Sequence, residues 1–439
     1  MKRLSFQKIF CLISVIFIGG CILYYGFRFV KLYLENKERE TVEKNTLAKI
    51  IKDNNDENEN FKSINGENYF IKKTTNNYLW YSNIMWRIIK VNGDNSVTAV
   101  SENALTSLAY GKKDDFDKST IYSWLNKTDM EYSGILVNSL NNIDKYLQKT
   151  NACVDTLDEL TNNPCEKIIN NNYVTLLSVV DYLNIGSKDS YLNNGEFFYL
   201  SNTANDGKVW YVNPDGQATL SAGNDIIGVR PVVTIMANVE YVSGDGTVDK
   251  PYMIESENGL FGSYVKLGND MWRIYKVNDT EVRLMLNDYV KVNGNNLSYI
   301  YSNNTTYHDD TKYGSIAYYL NNTFLNSLSY KNKIKEVKWT NGYYNSQTEY
   351  DYSNALKDTI DTKVAMMSIG DIYLNPELTN YFTLTGNVTR GSSIYVIQSD
   401  KKLYAKQISS KSNVVPTISL DKDLLTKGNG TINSPYEVQ

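Results

Sequence analysis

Hydrophobic and polar positions divide the chain into stretches of different rhythm. Residues 9–27 carry no charged side chain, whereas Lys2, Arg3 and Lys8 precede them and Arg28 and Lys31 follow. As a helix that run spans roughly 28 Å, close to the hydrocarbon thickness of a bilayer. A transmembrane helix is therefore expected over 9–30, behind a basic cytoplasmic tail at 1–8. Tyr24 and Tyr25 fall near its far end, where amphipathic rings favour the membrane interface. Residues 31–62 turn polar. Glu35 with Arg39 and Glu40 with Lys44 are spaced as i,i+4 pairs, and the acidic, Asn-rich stretch 53–60 offers nothing to bury. These features predict a solvated helical stalk ending in a linker.

Beyond the linker the pattern is that of a folded protein. Residues 86–91 and 96–101 predict strands joined by a Gly93-Asp94 turn, and 174–177 predicts a buried strand. Residues 209–212 and 218–220 predict a hairpin around Asn213-Pro214-Asp215-Gly216, and 229–235 a last core strand. Ile121, Trp124 and Leu125 mark a short helix capped by Ser119 or Thr120. Leu136, Leu140, Ile143 and Leu147 mark a longer amphipathic one. Ser178 with Asp181 has the spacing of a helix cap, and Ser368 with Asp371 repeats it. The expected fold class is α+β, a few helices against a twisted, mostly antiparallel sheet.

Internal self-similarity then organises the chain. Met85-Trp86-Arg87-Ile88-Ile89-Lys90 recurs as Met271-Trp272-Arg273-Ile274-Tyr275-Lys276, and Trp124-Leu125-Asn126 as Tyr319-Leu320-Asn321. Val174-Thr175-Leu176-Leu177-Ser178-Val179-Val180-Asp181 recurs as Val364-Ala365-Met366-Met367-Ser368-Ile369-Gly370-Asp371. Gly228-Val229-Arg230-Pro231 corresponds to Asn413-Val414-Val415-Pro416. Gly244-Asp245-Gly246-Thr247 with Pro251-Tyr252 corresponds to Gly428-Asn429-Gly430-Thr431 with Pro435-Tyr436. Matches in one order at a nearly constant offset predict a tandem duplication, with repeat 1 at 63–255 and a diverged repeat 2 at 256–439.

Composition narrows the function. Lys+Arg 45 against Asp+Glu 49 leaves a net charge of -4, which argues against a nucleic-acid partner. The single histidine, His308, lies in the polar stretch Thr306-Tyr307-His308-Asp309-Asp310 and is expected as a solvated loop residue. A His-based catalytic centre or a His-rich metal site would have to be built around it alone. Cys11 and Cys21 fall in the membrane segment. Cys153 and Cys165 are the remaining pair, a disulfide candidate in an oxidising compartment. Ile18-Gly19-Gly20-Cys21 also has the form of a bacterial lipobox. The apolar run continues to residue 27, which favours an uncleaved anchor over a lipid on Cys21. The expected location is the plasma membrane, with a single-pass anchor and the C-terminal modules extracytoplasmic.

The ordered motifs resemble those of an uncharacterised family of bacterial surface modules, with its Trp-Arg-Ile strand, Trp-Leu-Asn helix and Val-Arg-Pro strand. That family is similar to C-type-lectin-like and sulfatase-modifying-factor-like folds, so the resemblance implies two lectin-like modules. It also implies a second arginine before the hairpin, where Phe198-Tyr199-Leu200-Ser201-Asn202 stands instead. On the residues themselves, Trp210 and Tyr211 with Asp206, Asn213 and Asp215 form a candidate sugar-binding surface, an aromatic ring flanked by amide and carboxylate turns. The competing reading puts Trp210 in the core and gives the Asn and Asp residues only turn-building roles. Arg230 is either a ligand contact or a buried tie within the sheet. No constellation of catalytic groups is evident, so a non-catalytic module for glycan or protein ligands is expected. The alternatives are a structural subunit of a membrane complex and, last, an extracytoplasmic enzyme. No cofactor is expected; calcium in the Asn/Asp turns is the one weighed, and it has no EF-hand-type ligand loop.

Overall fold

The computed structural model describes Gly20 and residues 24–34, 45–111, 115–129, 133–257, 259–345, 353–387 and 392–438. It is a strand-rich α+β protein whose sheets are mostly antiparallel. The largest sheet grows from strand Ile84–Val91. Trp86, Ile88 and Val91 of that strand are fully buried against Val97 and Ala99 of Val97–Ser101 and Val233 and Ile235 of Pro231–Ile235. The order runs Val174–Leu176, Pro231–Ile235, Val97–Ser101, Ile84–Val91, Tyr78–Tyr81. Tyr252–Met253 then adds in parallel to Tyr78–Tyr81. In the second half the order is Val364–Ala365, Thr417–Asp421, Glu281–Leu286, Asp270–Val277, Tyr264–Leu267, with Tyr436–Val438 added in parallel. Each half also carries a five-stranded sheet with one parallel pairing, Phe198–Thr203 beside Ile227–Val229 and Tyr381–Asn387 beside Lys411–Asn413.

The Gly-x-Gly-Thr motif closes both large sheets for a steric reason. Gly244 and Gly428 have φ of +100° and +86°, and a Cβ there would lie 1.9 Å from Pro251 O and 2.1 Å from Pro435 O. Asp245 Oδ1 and Asn429 Oδ1 each accept the amide of the following threonine, fixing the turn that delivers Tyr252 and Tyr436 to the sheet.

Several expected elements take a different form. The strand expected at 229–235 is two strands, Ile227–Val229 and Pro231–Ile235, which pair in different sheets. The amphipathic helix expected across 136–147 shrinks to Ile143–Tyr146 after a run of turns, because Asn142 adopts a left-handed φ of 45°. Its apolar spacing still serves burial, with Leu136, Leu140 and Leu147 all in the core. Ser178 caps helix Val179–Asn184 by accepting the Asp181 amide. At Ser368 no helix follows, since Gly370, standing where Val180 does, has φ +88°.

The stalk needs the largest correction. Residues 47–55 form helix Leu47–Asn55, capped by Thr46, with Leu47, Ala48, Ile51 and Asn55 buried in the first half. Leu47 N donates to Val239 O and Tyr241 N to Asn45 O, so residues from 45 on pack with a first half that was expected to begin at 63. The expected linker at 53–60 ends this helix and leads into strand Phe61–Ile64. Residues 24–34 are helical with exposed apolar side chains, including Phe27, Phe29 and Leu32. Most of the anchor expected at 9–30 and the Glu35/Arg39 and Glu40/Lys44 pairs lie outside the described residues. Among those described, no helix is long and apolar enough to cross a membrane.

The two halves meet along several backbone contacts. Phe197 N donates to Asp400 O, Leu403 N to Ile226 O, and Tyr373 N to Leu105 O. The fully buried Trp124 donates its indole N–H to Gly370 O at 2.8 Å.

Candidate functional site

Side chains that alternate away from the core of the large sheet in the first half form the floor of an open polar cleft of about 720 Å³. Thr98, Thr234 and Thr175 lie on this floor, and Thr98 Oγ1 and Thr234 Oγ1 are 3.3 Å apart. A bulge between Ile88 and Lys90 shifts the register against Val97–Ser101. Bulges of this kind re-aim side chains, and Lys90 enters the cleft while Ile89 stays in the apolar layer beside it. The opposite wall is the hairpin of Thr150–Cys153 and Ile168–Asn172, tied by the disulfide Cys153–Cys165 expected from the sequence.

Lys90 is the hub of a connected network. Its Nζ lies 2.7 Å from Glu67 Oε2 and 3.1 Å from Asp181 Oδ1. Tyr69 donates its hydroxyl to Asp181 Oδ1 at 2.7 Å, and Ser178 donates to Asp181 Oδ2 at 3.0 Å. Burial by itself favours neutral forms. Against it, Asp181 and its neighbours hold the Lys90 ammonium above its ordinary pKa, and Lys90 with the Tyr69 hydroxyl holds the Asp181 carboxyl below its own. Burial, then Asp181, raises the Tyr69 phenol. All three shifts move the pKa further from 7, so none of these groups is poised as a general acid or base near that pH. The network presents fixed charges and acceptors among hydroxyls and amides, including Thr150, Asn151 and Asn184. Such a surface suits hydrogen bonding to a ligand rich in hydroxyls or amides.

The residues singled out on the hairpin lie elsewhere. Trp210 is 5% exposed and donates its indole N–H to Leu157 O at 2.9 Å, so its ring packs in a core instead of offering a stacking face. Tyr211 is half-buried, its ring centroid 6.0 Å from that of Phe197. Asp206 pairs with Lys208 at an exposed turn, and Asn213 Oδ1 accepts the amides of Asp215 and Gln217, with Asp215 exposed. Arg230 is 1% exposed; Nε donates to Ser101 O and Nη1 to Leu192 O, and the guanidinium covers the Phe198 ring. It ties the sheet together at the point where the strand changes partners. None of these six lines the cleft, whereas Cys153 and Cys165 do.

His308, expected in solvent, is 3% exposed, and burial lowers its pKa to about 4. Cys153, Asp155 and Cys165 are the one close grouping of three metal-type donors among the described residues. Sulfurs joined in a disulfide are not thiolate ligands, so the donor set does not fit a metal. Asp155 instead accepts the amides of Glu166 and Lys167, shaping the disulfide loop. The two cysteines are separated by 12 positions, for which loop-closure entropy predicts about 3 kcal/mol of stabilisation. Urea unfolding of the C153S/C165S double variant will show a loss of that order.

No family model, curated protein or solved structure matches this chain.

Sequence reasoning missed Lys90 and Asp181, yet it quoted both. Lys90 and Asp181 recur as Lys276 and Asp371 within the two longest repeat matches. A charged side chain kept at the end of an otherwise apolar strand was the available signal.

Proposed function

We propose that this chain is a bacterial surface protein anchored by a single helix at 9–30, carrying two diverged lectin-like modules outside the plasma membrane. In this reading the modules bind rather than catalyse, and the cleft of the first takes an uncharged, hydroxyl-rich cell-envelope glycan. The observation that carries the reading is the cleft itself, with hydroxyl and amide side chains around a lysine already neutralised by two carboxylates. The matching strand orders of the two halves support the duplication. The exposed apolar side chains of residues 24–34 support the anchor.

The test is binding of the full chain, in detergent micelles, to an array of envelope glycans. Thr175→Val and Asn151→Ala are each expected to weaken binding roughly five- to tenfold, the worth of about one hydrogen bond. Trp210→Phe is expected to leave it unchanged. Absence of saturable binding would leave the assembly-subunit reading in the lead.

A further inference from the structure

The second half has a pocket at the corresponding place in its own sheet. Lys276 follows the same kind of bulge, between Ile274 and Lys276, that precedes Lys90. Asp371 follows Ser368 as Asp181 follows Ser178. The pocket measures about 330 Å³, at the small end of ligand sites. Its far wall is not a hairpin alone: Ser133, Ile135, Asn138 and Ser139 of the first half help to close it.

Its charge is arranged differently. Lys90 is neutralised by Glu67, carried on strand Glu67–Phe70, which pairs with the end of Ile84–Val91. At the equivalent end of Asp270–Val277 only Glu281–Leu286 pairs; among the described residues no strand takes the place of Glu67–Phe70 on its other edge, and Lys276 makes no ion pair there. The cross-strand partner of Lys90 is Thr98, whereas that of Lys276 is Arg283, a cation that Glu281 balances. Arg283 is held in place over the Trp339 ring, 4.6 Å from its centroid, with Nη2 donating to Lys338 O and Nε 3.3 Å from Glu281. Asp371 accepts the Ser368 amide at 2.8 Å. Burial raises its pKa, so it opposes the cations less than Asp181 does in the first half, and burial also lowers the Lys276 ammonium from its ordinary value against the pull of Asp371.

We infer that this junction pocket binds a carboxylate-bearing ligand, with Lys276 as its contact and Arg283 as the fixed charge behind. A single unpaired ammonium matches one negative charge. A phosphate dianion would carry a second charge toward Asp371, with Arg283 already balanced by Glu281. The carboxylate of an acidic sugar and that of a peptide terminus present the same chemistry. The inference does not depend on the first cleft binding a glycan.

The full chain in detergent micelles is titrated calorimetrically with D-glucuronate and with N-acetyl-L-alanine. Glucose and N-acetyl-L-alanine methylamide serve as their uncharged counterparts. At least one acid is expected to bind saturably, its uncharged counterpart roughly tenfold or more weakly. Lys276→Gln, at an exposed position, is expected to remove that preference, whereas Thr175→Val in the first cleft leaves it intact. Binding of glucuronate alone assigns an acidic sugar, of the acyl amino acid alone a peptide terminus, and of both the carboxylate itself. The inference is overturned if neither acid binds, if the uncharged compounds bind equally well, or if Lys276→Gln binds like the unaltered chain.

Discussion

Replacing Leu47 and Ile51 together with alanine will destabilise the first half by about 5 kcal/mol, although both residues lie in what the sequence marks as a stalk. Leu47 is 1% exposed and Ile51 0%. Truncating a fully buried aliphatic side chain typically costs about 2–5 kcal/mol. The two sit one helical turn apart and share neighbours, so their sum falls below the upper limit. A fragment beginning at Gly66 loses both side chains, the backbone bond from Leu47 N to Val239 O, and Phe61, whose ring lies 4.7 Å from that of Phe70. It should unfold at far lower urea than one beginning at Asn45. A loss under about 1 kcal/mol for the double variant would mean that the helix merely leans on the module.

The helix was misread because its apolar stripe is one and a half turns long. Leu47, Ala48 and Ile51 follow a charged, i,i+4-paired segment and precede an Asn-rich one, so local composition masks three buried positions. Strands were more legible. Residues 86–91, 96–101, 174–177 and 209–212 each fall within one residue or two of an observed strand, because short apolar, β-branched-rich runs bounded by turn residues report on strands buried at nearly every position. Capping was legible where the backbone agreed: Ser119 and Ser178 cap as their spacing implies. It failed at Ser368, where a glycine that takes a left-handed φ stands between the same two side chains. Burial of His308 was not legible, since it sits in a hydrophilic run that tertiary packing covers. For Trp210 the core was one of the two readings the sequence allowed, and packing decides for it.

The same division holds for the site. Trp210 and its neighbours were attractive because an aromatic beside Asn and Asp turns is a compositional pattern, and composition is silent about which face of a hairpin is covered. Lys90 and Asp181 are 91 positions apart and meet only because a bulge turns one into the cleft while a capped helix start delivers the other. Repetition of both residues in the second half carried that information without its geometry. Their pairing is a property of three-dimensional context, and the second half demonstrates the point. It keeps the lysine and the aspartate but changes the neighbours, and the ionic contact of the first half is replaced by a looser arrangement.

Neutralising the two aspartates should consequently act in opposite directions. Asp181 is ionised and paired, with side chains of Lys90 and Asp181 14% and 22% exposed. Asp181→Asn leaves the ammonium with Glu67 alone and is expected to cost about 2–3 kcal/mol near pH 7, below the full cost of breaking a completely buried pair. Because the folded-state pKa of Asp181 lies below its ordinary value of 3.8, its contribution is fully present above that value and disappears as pH falls through the folded one. The Lys90 ammonium, raised above 10.5, contributes fully below that value and loses its share only as pH rises through the folded pKa. Asp371 has the reverse sign. Its folded-state pKa is raised above 3.8, so the folded form binds the proton more tightly, and stability declines as pH rises from 3.8 through the folded pKa. Asp371→Asn keeps an acceptor for the Ser368 amide and removes a carboxylate that burial disfavours, so it should be neutral or stabilising by up to about 1 kcal/mol at neutral pH. Urea unfolding at pH 7 should separate the two variants in sign, and acidification below the folded pKa of Asp181 should bring both toward the unaltered chain. Equal destabilisation by both at pH 7 would show that the lysine and aspartate of the second half form the same ion pair as those of the first, and the vacant positive charge assigned to its pocket would be lost with that result.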